Sequence, residues 1–204
     1  MPNWFSRHAI TFAICIVMMC VLPLGGCQKS DDDTGSFPAA NKSDCMPNLT
    51  LLDQNAHNFN LNSLKGKFVL INFIYTSCTG TCPMLTSKMT SVEKKLAPEL
   101  GKNVRLVSIT LDPEHDNSAA LLKYADEHGA NGDQWIFLTG EPTQIDAYLA
   151  IFNIKRTREA DGSIDHVTTS FLLGPDGRQI RQYDGIAVTP ATMADDVNRA
   201  ISHR

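Results

Sequence analysis

The run FVLINFIY, Phe68 to Tyr75, constrains this chain more than any other stretch. Asn72 is its one polar residue; the rest are β-branched, aromatic or leucine. The run is too short for an ordinary buried helix and contains no turn residue, so it is expected to be a strand buried on both faces. Such a strand needs sheet neighbours on either side and helices above and below. The remaining sequence offers them in alternation. VRLVSITL (104–111) and WIFLTG (135–140) are further strand candidates. A helix is expected from Pro83 through MLTSKMTSVEKKLA, others over 118–129 and 142–152, and a last one over PATMADDVNRAI. TSFLLGPDGRQIRQYDG (169–185) holds two strands about a Pro-Asp-Gly turn, a hairpin signal. The order is a lead-in hairpin or irregular region, then β-α-β-α-β-α-β-β-α. That predicts an α/β, thioredoxin-like fold: a central mixed β-sheet flanked by helices, with an inserted αβ segment.

Chemistry concentrates where the first long strand ends. YTSCTGTCPML places Cys78 and Cys82 after the strand and before a helix. In an open α/β sheet, ligands bind at the carboxyl ends of strands. A structural disulfide, a redox dithiol and a metal clasp are the competing explanations. Pro83 disfavours helical geometry at the residue before it, so Cys82 is expected in a loop that leads into the helix. Near the helix N-terminus the dipole should favour its thiolate.

The N-terminus places this pair outside the cytoplasm. Arg7 precedes an unbroken apolar run, Ala9 to Leu22, shorter than the roughly 20 residues of a spanning helix. LGGC, Leu24 to Cys27, follows and resembles the bacterial lipobox, which implies a lipid on Cys27. Three segments are expected: a lipoprotein signal peptide over 1–26, a lipidated cysteine with a polar, acidic tether over 27–45, and a folded domain over 46–204. The bland alternative is an uncleaved anchor ending near Leu24; both export the domain. Of six cysteines, Cys15 and Cys20 leave with the apolar run, and Cys27 is the lipid site. Cys45, Cys78 and Cys82 are too few for a disulfide framework. With a formal charge of −4 and no basic block, nothing suggests nucleic acid.

A third ligand would separate metal from redox chemistry. His57, His128 and His203 are expected at the surface. His166 lies just before the strand that should run beside the cysteine-bearing one, where it can hang over the Cys78–Cys82 loop. A lone histidine there is more often structural than a ligand. Two thiolates and one imidazole suit copper, with zinc next, because structural zinc usually takes four ligands. Met84 and Met89 could offer soft sulfur, but their helical placement points to core packing. Cys45 is expected to pack as a small apolar residue.

LKGKFVLINFIYTSCTGTCPML, VSITLDPEHD and DHVTTSFLLGPDGRQIRQYDG, in that order and spacing, resemble the Sco/SenC family of copper-binding, thioredoxin-like, membrane-anchored proteins. The resemblance spans most of the exported domain. It implies Cys78, Cys82 and His166 as copper ligands for Cu(I) and Cu(II), with Asp112, Asp116 and Asp165 as supporting residues rather than ligands. It also implies a partner: the copper-centre subunit of a respiratory cytochrome c oxidase, or another envelope copper protein. The expected role is a metallochaperone of the bacterial envelope, lipid-anchored to a membrane, with thiol-disulfide reductase activity by Cys78 and Cys82 as the alternative. A peroxide-reducing enzyme is a weaker third reading. This chain departs from the family's habit in three places: Thr79-Gly80-Thr81 between the cysteines, His115 in the Asp-Pro segment, and the extra Cys45.

Overall fold

The computed structural model describes residues 46–130 and 132–204. The expected signal peptide, Cys27, the tether and Cys45 lie outside them. The long apolar run forms β3 (Phe68–Ile74), with all seven residues buried. Its neighbours are β4 (Val104–Thr110), parallel, and β8 (Thr169–Leu173), antiparallel. Beyond β4 come β5 (Trp135–Thr139), β1 (Leu51–Asp53) and β2 (Asn58–Phe59); beyond β8 comes β9 (Gln179–Asp184). The resulting seven-stranded sheet runs β2-β1-β5-β4-β3-β8-β9. It is mixed, with β3 third from one edge, and the lead-in is the hairpin β1–β2.

Four helices cover the sheet: α1 (Thr81–Lys95), α2 (Ser118–Glu127), α3 (Pro142–Ile151) and α4 (Pro190–Ser202). Their starts follow local chemistry. Asn117 caps α2 by accepting from Ala120 N–H, and Thr189 caps α4 by accepting from Thr192 N–H, with Pro190 opening the first turn. Phe73, Phe152 and Phe171 pack with ring centroids 4.7–6.1 Å apart, tying β3, the end of α3 and β8 together. Asn72 is half satisfied in this apolar setting: its carbonyl accepts from Ser108 Oγ at 2.6 Å, and Ser108 Oγ accepts from Trp135 Nε1 at 2.9 Å, while its buried Nδ2 has no partner among the described residues.

Two details differ from expectation. Cys82 lies inside α1 rather than in the preceding loop, with Pro83 as the third helical residue. The first-turn N–H groups have no intrahelical partner, so a proline there removes no bond and the helix starts ahead of it. The second is a small separate sheet, β6 (Arg156–Arg158) with β7 (Ile164–His166), in register Arg156↔His166. Asp161-Gly162 at its turn was a hairpin signal, with Gly162 at φ +84°. Apart from Ile164 the two strands are charged or polar, so the pattern shows no apolar alternation.

Candidate functional site

β3 ends at the carboxyl edge of the sheet, and Thr76 to Gly80 form the turn into α1. Asp116, buried after β4, holds that turn. Its carboxylate accepts from Thr76 N–H at 3.0 Å, Thr76 Oγ1 at 2.5 Å and Thr110 Oγ1 at 2.6 Å. Burial pushes the Asp116 carboxyl up, and the hydrogen bonds only partly offset it. The turn also carries Cys78 N–H to Tyr75 C=O at 3.2 Å.

Both cysteines are free. Gly80 stands at the N-cap of α1 and has no side chain to cap it. The sulfur of Cys78 takes that place, accepting from Cys82 N–H at 3.4 Å. This corrects the expectation for the thiolate. Cys82 is 1% exposed, and burial pushes its thiol well above the ordinary range. Cys78 is only partly buried. Burial raises its thiol, but hydrogen bonds from the Cys82 and Gly80 backbone and from the Cys82 and Tyr75 side chains outweigh that and lower it. The helix terminus therefore acts on Cys78, whose sulfur lies over the free N–H groups, and not on Cys82, whose sulfur is turned into the core.

His166 ends β7 and faces the same open cleft as Cys78, about 860 Å³ in volume, with Tyr75 and Thr168 also on its wall. The antiparallel pairing of β8 with β3 puts this segment at the cysteine end of β3, as expected. Its Nδ1 lies 3.1 Å from Val167 C=O. A carbonyl can only accept, so Nδ1 carries the proton and Nε2 is left as the free donor atom. Burial lowers the imidazole's pKa and favours the neutral form. Among the described residues, no three His, Cys, Asp or Glu side chains stand close enough to hold one ion. The structure brings the two cysteines together and sets His166 on the wall of their cleft, short of a closed trio.

The hairpin carrying His166 is fastened from the other side. Arg156, opposite His166, donates to Leu111 C=O at 2.6 Å, Asp146 at 3.1 Å and Glu114 at 3.3 Å. Arg158 bonds Asp112, which also pairs with His115 Nδ1 at 2.8 Å. Burial raises the Asp112 carboxyl, but these partners outweigh it and hold it below the ordinary range. Asp112 and Asp116 are thus buried anchors, while Asp165 is exposed on β7. Sequence spacing does not point to Arg156 and Arg158, because the partners that fasten them to the body of the domain lie ten or more residues away. Met89 is buried as expected, whereas Met84 is 53% exposed: it falls on the solvent side of α1, one residue before the buried Leu85. His57 and His203 are exposed; His128 is half-buried, stacked on Tyr124 at 4.1 Å.

A family model described as SCO1/SenC matches residues 38–202. The SCO1 protein homolog of Bacillus subtilis is 37% identical over 145 residues, covering 70% of this chain and 75% of that one. The structure of BsSco, described as a member of the Sco family of cytochrome c oxidase assembly proteins with a disulfide switch, aligns with a TM-score of 0.67. It is 34% identical and covers 78% of this chain and 94% of that one. Copper-bound ScoI of Bradyrhizobium japonicum aligns with a TM-score of 0.64 at 28% identity, covering 74% and 96%.

Proposed function

The chain belongs to the SCO1/SenC family, and from that premise we propose that it is a copper metallochaperone of the bacterial cell envelope. It takes one copper ion as cargo on Cys78, Cys82 and His166, and supports assembly of the copper centre of a respiratory cytochrome c oxidase. The observation that carries this reading is a free Cys78 thiol and a neutral imidazole on one open cleft, with the second free thiol, Cys82, buried directly behind Cys78. Two soft sulfurs and an imidazole are a donor set for copper in either oxidation state. The open cleft suits a cargo that must enter and leave.

Each residue has a definite part. Cys78 offers the thiolate that is favoured before loading. Cys82 holds a proton that must leave when it becomes a ligand, so loading releases protons to solvent. His166 is oriented by Val167 C=O and presents Nε2. Asp116 fixes the turn that sets the sulfur positions. On the same reading, residues 1–26 are removed, Cys27 carries the lipid, and 27–45 tether the domain to a membrane.

A second reading rests on the inequality of the thiols. A partly exposed, acidified Cys78 beside a buried, protonated Cys82 matches an attacking and a resolving thiol. Cys78 thiolate would attack a partner disulfide and release one partner thiolate. Cys82, giving up its proton, would then displace the second from Cys78. The partner is reduced and the Cys78–Cys82 disulfide forms.

The test uses the reduced full chain in detergent, titrated with copper. Wild type should bind one copper per chain with intense thiolate-to-Cu(II) absorption. His166→Ala should bind more weakly and decay faster, and the Cys78/Cys82 double variant should lose the band. In a deletion strain, a His166→Ala chain that restores oxidase assembly fully while binding no copper would transfer the assignment to thiol reduction.

A further inference from the structure

Tyr75 is a residue of the cleft that neither reading uses. It follows β3 directly, and its side chain is 7% exposed. Its hydroxyl oxygen accepts from the backbone N–H of Ile164, on β7, at 3.4 Å. Its ring stands edge-on to His166, with centroids 6.0 Å apart and planes at 81°. One side chain thus touches both the start of β7, through Ile164, and its end, through His166.

The geometry matters because the β6–β7 hairpin belongs to a separate two-stranded sheet. Arg156 and Arg158 fasten its outer side to the body of the domain. On the cleft side Tyr75 is its link to the cysteine turn. The same turn anchors Cys78 N–H on Tyr75 C=O. Backbone and hydroxyl of one residue therefore hold both the cysteine turn and the strand that ends in the imidazole.

We infer that Tyr75 is a positioning residue of the copper site, its backbone carbonyl and its hydroxyl bridging Cys78 N–H and Ile164 N–H so that the His166 hairpin is registered against the cysteine turn before cargo arrives. The metal part of this inference rests on the proposed copper reading; the bridge itself does not. Removing the hydroxyl frees the hairpin on its cleft side and lets the imidazole stray from the thiols.

The test is Tyr75→Phe in the full chain in detergent, which keeps the ring against His166. In the reduced, copper-free protein, hydrogen–deuterium exchange read by mass spectrometry should quicken about fivefold in a peptide spanning 159–168, as one lost hydrogen bond implies. A peptide from α4 should exchange as in wild type. With copper added, dissociation should be about fivefold faster, since the hydrogen bond lost is the one that keeps the imidazole in reach. A merely structural tyrosine would lower thermal stability without changing copper dissociation. Unchanged exchange over 159–168 would overturn the bridge. Faster exchange with unaltered dissociation would overturn the role at copper. If wild type shows no copper band, the copper reading itself fails, and the exchange result still decides the bridge.

Discussion

Asp116→Ala should destabilise the domain more than any other single change at the turn. The carboxylate accepts three hydrogen bonds, from Thr76 N–H, Thr76 Oγ1 and Thr110 Oγ1, and the residue is 1% exposed. Hydrogen bonds to a charged acceptor contribute about 1.5–3 kcal/mol each, a gross upper bound of roughly 5–9 kcal/mol. Two effects offset much of it. Burial of the carboxylate is itself costly, as its raised pKa records, and the alanine variant escapes that cost. The two threonine hydroxyls can also turn toward other acceptors, whereas the Thr76 N–H cannot. One stranded buried N–H costs about 1–3 kcal/mol, and the small cavity adds about 1 kcal/mol. The expected net loss is about 2–4 kcal/mol. At about 2–4 °C per kcal/mol for a chain of this size, Tm should fall by roughly 5–15 °C. The assay is thermal unfolding of the reduced, copper-free protein followed by circular dichroism. Asp116→Asn, which keeps one acceptor oxygen, should lose about half as much. A fall below about 2 °C for alanine would refute the claim that this carboxylate holds the cysteine turn.

Other expectations follow from the same contacts. Arg156→Ala removes the anchor opposite His166, so copper dissociation should quicken several-fold while the urea midpoint moves little; unchanged dissociation would separate the arginine from the site. Asp112 is held below its ordinary value of 3.8, so its contribution to stability is present above that value and fades as pH falls through the lower folded value. The stability gap between wild type and Asp112→Asn, from urea unfolding, should therefore shrink as pH drops from 5 towards 2, and a gap that widens would reverse the sign of the argument. Cys27→Ser should leave an unlipidated, uncleaved precursor; normal processing and membrane retention would remove the lipoprotein assignment.

The sheet was legible because its central strand has no polar face. FVLINFIY admits no half-exposed setting, and the helices after it are punctuated by Pro83, Asn117, Pro142 and Pro190. Cys78 and Cys82 were legible for the same reason, standing where that strand must end. What stayed hidden lies in contacts that sequence spacing does not encode. Arg156 and Arg158 sit on short polar strands with no periodic signal, and their roles appear only when Asp112, Glu114 and Asp146 come close in space. The thiol assignment reversed because helix dipole and burial act on different atoms. The dipole argument applied to Cys82 by position, whereas its sulfur points into the core and the sulfur of Cys78 caps the helix.

That reversal bears on how copper and disulfide chemistry share one dithiol. A site built for metal alone is best served by two readily ionised thiols. Here one is acidified and one is buried and protonated, an arrangement suited to disulfide exchange. Disulfide exchange, however, has no use for an imidazole across the cleft with its Nε2 left free. On the proposed reading both features are needed, in sequence. Loading copper requires Cys82 to release its proton, which ties uptake to pH and to the reduced state. Giving two electrons to a partner disulfide joins Cys78 to Cys82 and removes both sulfur donors at once. His166 alone then remains, and one imidazole is a weak hold on copper. On that reading, release of the cargo and reduction of the partner's cysteines become one event, which would place copper at the partner as its own thiols become free to bind it.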